Sequence, residues 1–145
     1  MKLHEFTGVF VPEFSLDRRL QADCLFLHKM ELCDLLLMDD NRWPWLILVP
    51  RIIDAKEIHQ LNNQHQILLL QETVGVSSVL ADISGCEKIN TGALGNIVRQ
   101  LHVHIIARNP GDANWPGPVW GYDEQQPYQK ERQEYLMNEF RKRLT

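Results

Sequence analysis

Polar and apolar side chains alternate along residues 99–108, and this alternation constrains the fold more than any other feature of the chain. Successive side chains of a β-strand point to opposite faces of the sheet. A strand over residues 97–107 therefore presents polar groups on one face, namely Gln100, His102 and His104. Its other face is apolar and consists of Leu101, Val103 and Ile105. The sequence thus predicts a sheet with one face in a core and the other carrying two histidines and an amide.

The remaining segments predict an α+β domain built on an antiparallel sheet. Turn-forming residues separate three apolar segments that indicate a meander, at residues 24–30, Cys33–Met38 and residues 45–49. Apolar residues at helical spacing predict a main helix at Asn63–Ser84. Shorter patterns predict a helix around residues 15–23, a strand at residues 87–90 and a surface helix at residues 128–144. We expect one domain over residues 1–145, with a core at about 24–112, a C-terminal extension at 113–145, and helices packed on the sheet.

The composition limits the classes of partner. The chain has 145 residues and a net charge of -4, so it lacks the basic field that holds a long nucleic acid. A small phosphate ligand remains compatible with this charge. Residues 1–10 show no signal-peptide pattern, no apolar run approaches the length of a membrane span, and the three cysteines form no CxxC pair. We therefore expect a cytoplasmic protein with reduced thiols, and neither a nucleic acid nor a membrane as partner.

The two histidines of the predicted strand suit nucleophilic catalysis. An imidazole titrates near neutral pH, and one ring nitrogen can attack while a hydrogen bond holds the other. A second imidazole beside it can donate a proton to a leaving oxygen. Structural histidines, or an incidental metal pair, explain an isolated His-x-His pattern equally well. A zinc site needs more ligands than His102 and His104 supply, so the sequence predicts no metal and no cofactor.

The segment from Gln100 to Ile106 resembles the signature of the histidine triad family, in which three histidines alternate with apolar residues and two apolar residues follow. Gln100 stands in place of the first histidine. The resemblance implies that His102 attacks the α-phosphate of a nucleotide and forms a nucleotidyl-histidine intermediate, and that His104 helps the leaving group to depart. Because an amide can hydrogen bond but cannot carry a proton charge, we expect Gln100 to limit turnover and Gln100→His to raise it.

Further positions match the family pattern outside the triad. The turns at residues 90–92 and 95–98 are similar to those before the family's triad strand, which implies phosphate contacts from Asn90 and Asn96, although both asparagines are also ordinary turn formers. Asp39 or Asp40 falls near the family's ribose-binding position, although both are also ordinary turn formers. Arg108 either reaches a phosphate or is a solvated charge at a strand end. Trp45 occupies the place of an upstream histidine, so the chain resembles a divergent branch.

The resemblance implies an enzyme that cleaves a phosphoanhydride or phosphoramidate of a nucleotide, such as a dinucleoside polyphosphate, by hydrolysis or transfer. Two alternatives stay open: a nucleotide-binding module with little turnover, and a protein-interaction domain whose pocket is unused. Binding of a nucleoside monophosphate separates the interaction domain from the other two, and release of product separates the enzyme from the binding module.

The resemblance and the exposed aromatic residues together predict a homodimer. We expect its interface at residues 115–120 and along the apolar stripe formed by Leu136, Phe140 and Leu144. Large exposed apolar patches are uncommon on monomers, so a partner should cover this one. If these residues instead pack on their own sheet, the patch disappears and we expect a monomer.

Overall fold

The computed structural model describes residues 13–144, so the expectation about a signal peptide at residues 1–10 lies outside the described residues. The described chain forms three α-helices, five strands and a short 3-10 turn at Ile58–Gln60. The helices are α1 (Arg18–Asp23), α2 (Asn63–Ser84) and α3 (Lys130–Leu144). The strands are β1 (Cys24–Lys29), β2 (Cys33–Met38), β3 (Trp45–Pro50), β4 (Lys88–Gly92) and β5 (Val103–Arg108). This arrangement confirms the predicted α+β class.

The five strands form one antiparallel sheet in the order β1-β2-β3-β5-β4. The first three strands are the predicted meander. After α2 the chain enters β4 at the edge of the sheet, and β5 then fills the position between β3 and β4. Every residue of β3 and of β5 is buried, because these strands are covered on both faces. The histidine-bearing strand is therefore held between two neighbours.

The main helix α2 covers one face of the sheet and has the bounds that the sequence predicts. It begins after Asn62, whose side chain accepts a hydrogen bond from the amide of His65, and it ends at Gly85 with a φ of 64°. Its buried face includes Leu69 and Val76, and α3 adds further apolar side chains to the same core. Packing on the sheet thus stabilises α2 more than its own helix propensity does.

By length and composition alone, α2 also satisfies the requirements of a membrane span, with a mean hydropathy of 1.4 over its apolar window. The expectation that no apolar run approaches that length is therefore wrong. Core helices of soluble proteins meet the same criterion. On the buried face of α2, the carboxylate of Glu72 accepts hydrogen bonds from the amides of Leu32 and Cys33, at 2.7 and 3.1 Å. These bonds join the helix to the turn between β1 and β2.

The predicted strand at residues 97–107 is wrong in its first half. Pairing with β3 begins at Val103, which lies opposite Leu48, and pairing with β4 begins at His104, opposite Gly92. Residues 97–102 form an irregular connection, in which the amide of Leu101 donates to the carbonyl of Ala55. The polar and apolar alternation therefore continues beyond the strand, and Gln100 does not lie on the strand face that carries His104.

The second face of the sheet is covered by α1 and by the loop between β5 and α3. Leu20 from α1 and Val119 from the loop pack against Trp43, Trp45 and other apolar residues of this face. The stripe expected at a dimer interface lies on the first face instead. Because Leu136 and Phe140 are only 4% and 1% exposed and pack against α2 and the sheet, the prediction that this stripe forms a dimer interface is wrong.

Candidate active site

The site lies on the second face of the sheet, where β5 begins. The ring centroids of His102 and His104 are 4.8 Å apart and the rings meet edge to face. Both side chains are nearly buried, with exposures of 6% and 5%. They lie at one wall of a pocket of about 360 Å³. Their separation is short enough for one phosphate to contact both rings.

The hydrogen bonds of His102 indicate which ring nitrogen is free to attack. Its Nδ1 lies 2.7 Å from the carbonyl oxygen of Gln100. Because a carbonyl oxygen only accepts, Nδ1 carries the proton and donates it to this bond. In the neutral ring, Nε2 then holds a lone pair. His102 thus has the tautomer that a nucleophile needs.

His104 has the opposite tautomer. The indole Nε1 of Trp45 donates to Nδ1 of His104 over 3.0 Å. Since an indole N–H is only a donor, Nδ1 must be the unprotonated nitrogen and Nε2 must carry the proton. Burial, and secondarily the neighbouring His102, lower the pKa of His104 from 6.5 to about 3. His104 is therefore a neutral hydrogen-bond donor at pH 7.

Gln100 makes a different contact from the one that the sequence predicts. Its side-chain oxygen accepts from the amide of Asp17, and its side-chain nitrogen donates to the carbonyl of Ser15, both at 2.9 Å. These partners belong to the segment that leads into α1. The expectation that the Gln100 side chain shares the strand face of the two histidines is therefore wrong, and only its backbone oxygen contacts His102.

The two carboxylates expected near a ribose are engaged elsewhere. Asp40 is 2% exposed and forms a bidentate ion pair with Arg42. Asp39 accepts a hydrogen bond from the amide of Tyr128, before α3. Neither side chain lines the histidine pocket, whereas Asp23, at the end of α1, does. No motif marks Asp23 in the sequence, because its position depends on how the short helix α1 packs.

Arg108 and Asn90 hold the protein together instead of facing the pocket. All five N–H groups of Arg108, which is 1% exposed, are donated to Asp112, Asn90 and the carbonyls of Gly117 and Ala113. The ion pair lowers the pKa of Asp112. Arg108 therefore has no donor left for a phosphate, and neither alternative from the sequence describes it. It fastens the loop after β5 to the sheet.

The candidate Asn96 does line the pocket, in a connection between β4 and β5 that also supplies Gly95 and Ile97. Gly95 has a φ of 72°, a backbone conformation that favours glycine, so this turn depends on it. Apolar residues from α1 and from strands β2 and β3 also line the pocket and form an apolar wall: Leu20, Met38, Trp45 and Ile47. An apolar wall with a few polar groups is typical of a pocket for a small organic ligand.

The loop after β5 closes the pocket with Trp120. Its ring lies 5.4 Å from the His104 ring, centroid to centroid, and meets it edge to face. The same ring covers Gly92, where an added Cβ would lie 3.0 Å from a ring carbon. The indole N–H of Trp120 is buried and has no partner within residues 13–144. The ring of Trp120 therefore lines the pocket beside His104.

Comparisons with known proteins identify the family to which the chain belongs. The model of the HIT domain matches residues 19–111, which is more than half of the chain. The chain belongs to the histidine triad family. Proteins of this family are in general nucleotide hydrolases or transferases. A comparison with curated proteins finds no match.

Three solved structures are similar over almost the whole chain, and all three are histidine triad proteins. The one from Sinorhizobium meliloti is 48% identical, with a TM-score of 0.88, and the match covers 90% of this chain and 96% of that one. The one from Bradyrhizobium japonicum is 41% identical, with a TM-score of 0.90 and coverages of 92% and 100%. The one from Marinobacter aquaeolei is 45% identical, with a TM-score of 0.89 and coverages of 92% and 97%. The resemblance inferred from residues 100–106 is confirmed.

Proposed function

We propose that this histidine triad protein cleaves a phosphoanhydride or phosphoramidate bond of a nucleotide, such as a dinucleoside polyphosphate, by hydrolysis or transfer. The observation that carries the proposal is the pair of opposite tautomers, with a lone pair on Nε2 of His102 and a proton on Nε2 of His104. A nucleophile and a hydrogen-bond donor thus lie side by side in one pocket. Membership of a family of nucleotide hydrolases and transferases supports the same reaction class.

In the first step, Nε2 of His102 attacks the α-phosphorus, so that a P–N bond forms while the bond to the leaving group breaks. The Nδ1–H bond to the Gln100 carbonyl stabilises the positive charge that develops on the ring. Because the pKa of His104 is about 3, this residue is not an imidazolium at neutral pH. It donates a hydrogen bond to the phosphate or to the leaving atom and does not supply a full proton. A phosphate leaving group departs as an anion, and an amine leaving group takes its proton from solvent as the P–N bond to it breaks.

In the second step, water or another acceptor attacks the same phosphorus and the P–N bond breaks, which returns His102 to its starting state. The proton of the attacking water passes to solvent or to the released group, so that the overall reaction adds one water across the cleaved bond. The pocket volume of about 360 Å³ is within the range of small-ligand sites, and its apolar wall fits a nucleobase.

Turnover of a nucleotide panel tests this proposal. We expect His102→Ala to abolish product formation, and we expect wild-type protein given nucleotide labelled at the α-phosphate to yield a labelled histidine adduct. His59→Ala, at an exposed position outside the pocket, is the matched control. Turnover by His102→Ala at the wild-type rate overturns the assignment. Tight binding of a nucleoside monophosphate without turnover favours the binding module, and absence of binding favours the interaction domain.

Burial of Leu136 and Phe140 removes the surface on which the dimer predicted from the sequence depended, and that prediction by itself now gives a monomer. We propose a homodimer through a different apolar surface, which the structure leaves uncovered beside α2. A groove of about 660 Å³ on the α2 side of the sheet is lined by apolar and uncharged polar residues only. The side chains of Ile67, Leu70 and Val74 on α2 are 58%, 65% and 60% exposed. A surface without charge needs no oppositely charged partner, so a second copy of the same surface fits it, as in the isologous interfaces of two-fold dimers.

A further inference from the structure

The side chain of Gln100 connects two segments that are far apart in sequence. Its oxygen accepts from the amide of Asp17, 83 residues away, and its nitrogen donates to the carbonyl of Ser15, each at 2.9 Å. The side-chain amide of a glutamine carries an NH2 donor and a carbonyl acceptor at its end, like the N–H and C=O that one strand residue presents to its neighbour. Gln100 therefore pairs with the backbone of residues 15–17 in the way that a neighbouring strand would.

The segment held in this way supports one wall of the site. Asp17 caps α1, accepting a hydrogen bond from the amide of Arg19 at 2.8 Å. Three residues of α1 line the histidine pocket: Arg19, Leu20 and Asp23. A helix of six residues is too short to be stable by itself, so its position depends on contacts at its ends and on burial of Leu20.

Gln100 also contacts the nucleophile, but through its main chain. Its carbonyl oxygen accepts the Nδ1 proton of His102 at 2.7 Å. A substitution of the side chain leaves this carbonyl in place. The two functions of the residue are therefore separable, since the backbone orients the nucleophile and the side chain holds the α1 wall.

We propose that Gln100 is a positioning residue whose side chain fixes α1 as the substrate-binding wall of the pocket. This inference rests on the proposed nucleotide reaction. It assigns a role to Gln100, which stands where the family signature has its first histidine. The side chain acts on binding of the part of the substrate that contacts α1, and not on proton transfer at the phosphate.

A histidine cannot replace Gln100 in this role. The two nitrogens of an imidazole point away from each other, so that at most one of the two backbone groups of residues 15–17 is paired. The other group is left without its partner, which destabilises the α1 wall. We therefore expect Gln100→His to weaken substrate binding. The sequence alone predicts instead that this substitution raises turnover.

Steady-state kinetics of Gln100→Leu, Gln100→Glu and Gln100→His test the inference. Because Gln100→Leu removes both hydrogen bonds to residues 15–17, we expect its KM to be higher by roughly tenfold, with kcat within about twofold of wild type. Gln100→Glu retains the acceptor for Asp17 and should lie between Gln100→Leu and wild type. The pH profile of kcat should not move in any of the three variants. Gln129→Leu, an exposed glutamine outside the pocket, is the control.

Hydrogen exchange at the Asp17 amide gives a readout that does not depend on activity. We expect faster exchange in Gln100→Leu than in Gln100→Glu, and wild-type exchange in the control. A fall in kcat at unchanged KM, or a shifted pH profile, overturns the inference because both place the side chain at the chemical step.

Affinity for AMP is measured in parallel. If wild type binds AMP without turnover, the proposed reaction fails while a weaker affinity of Gln100→Leu still supports the inference. If wild type binds no nucleotide, both fail.

Discussion

At the residue scale, the chemistry depends on which nitrogen of each histidine carries the proton. The sequence predicts His102 and His104 as neighbours, because the His-x-His spacing brings two side chains to one face. It does not predict their tautomers, since these follow from the Gln100 carbonyl and the Trp45 indole, whose positions the tertiary structure fixes. Trp45 is interpreted from sequence as a lost histidine. In the structure it is the hydrogen-bond donor that orients His104.

The first prediction concerns this donor. Trp45→Phe keeps an aromatic ring in the core but removes the N–H that bonds Nδ1 of His104. Both tautomers of His104 then become populated, and we expect kcat to fall by roughly tenfold, which is the size of effect seen when metal-binding histidines lose the hydrogen-bond partner that orients them. Steady-state kinetics with a nucleoside phosphoramidate provide the measurement. Trp115→Phe, at an exposed indole outside the pocket, is the control, and an unchanged kcat in Trp45→Phe refutes the orienting role.

The second prediction concerns the pH dependence of stability. The pKa of His104 is lowered from 6.5 to about 3, so between these values the unfolded chain binds a proton that the folded chain does not. This contribution to stability is complete above about pH 6.5 and is lost as the pH falls toward 3, with a slope of about 1.4 kcal/mol per pH unit. When the free energy of unfolding is measured with urea at several pH values, it should change less steeply with pH in His104→Asn than in wild type. Equal slopes in both proteins contradict the prediction.

At the element scale, long regular patterns are predictable and short connections are not. The spacing of apolar residues gives α2 its correct bounds, because the buried face of a helix of 22 residues repeats over many turns. Polar and apolar residues alternate at 97–102 as they do in β5, but residues 97–102 do not pair with a neighbouring strand. Likewise Asp23 lies in the pocket through the packing of α1, which no pattern in six residues specifies.

The third prediction concerns the loop after β5. Arg108→Met removes the buried guanidinium that binds Asp112 and two loop carbonyls. Because Asp112 is left without its partner, we expect the free energy of unfolding to fall by about 3 kcal/mol or more. Chemical denaturation gives this quantity, and Arg99→Met, at an exposed arginine, is the control. A surface ion pair usually contributes less than about 1 kcal/mol, so a fall in the free energy of unfolding below about 1 kcal/mol contradicts a structural role for Arg108.

At the scale of the whole molecule, the two faces of the sheet have different uses. One face packs α2 and α3 on the core, and the other carries the histidine pair under α1 and Trp120. The sequence predicts the apolar residues of α2, yet it does not show which of them remain uncovered. Because α2 has an apolar face wider than the sheet can cover, Ile67, Leu70 and Val74 stay exposed.

The last prediction follows from this exposed face and tests the proposed dimer. Leu70→Glu places a carboxylate in the lining of the uncharged groove, so that a two-fold interface through this groove desolvates the added charge of each copy. Light scattering at micromolar concentration should give wild-type protein a mass of about twice the single-chain 16.9 kDa and the variant a mass near 16.9 kDa. Gln71→Glu adds the same charge at the next residue of α2, which does not line the groove, and should remain dimeric. A wild-type mass of 16.9 kDa refutes the dimer. Dissociation of both variants alike shows that added charge on α2, and not the groove, disrupts assembly.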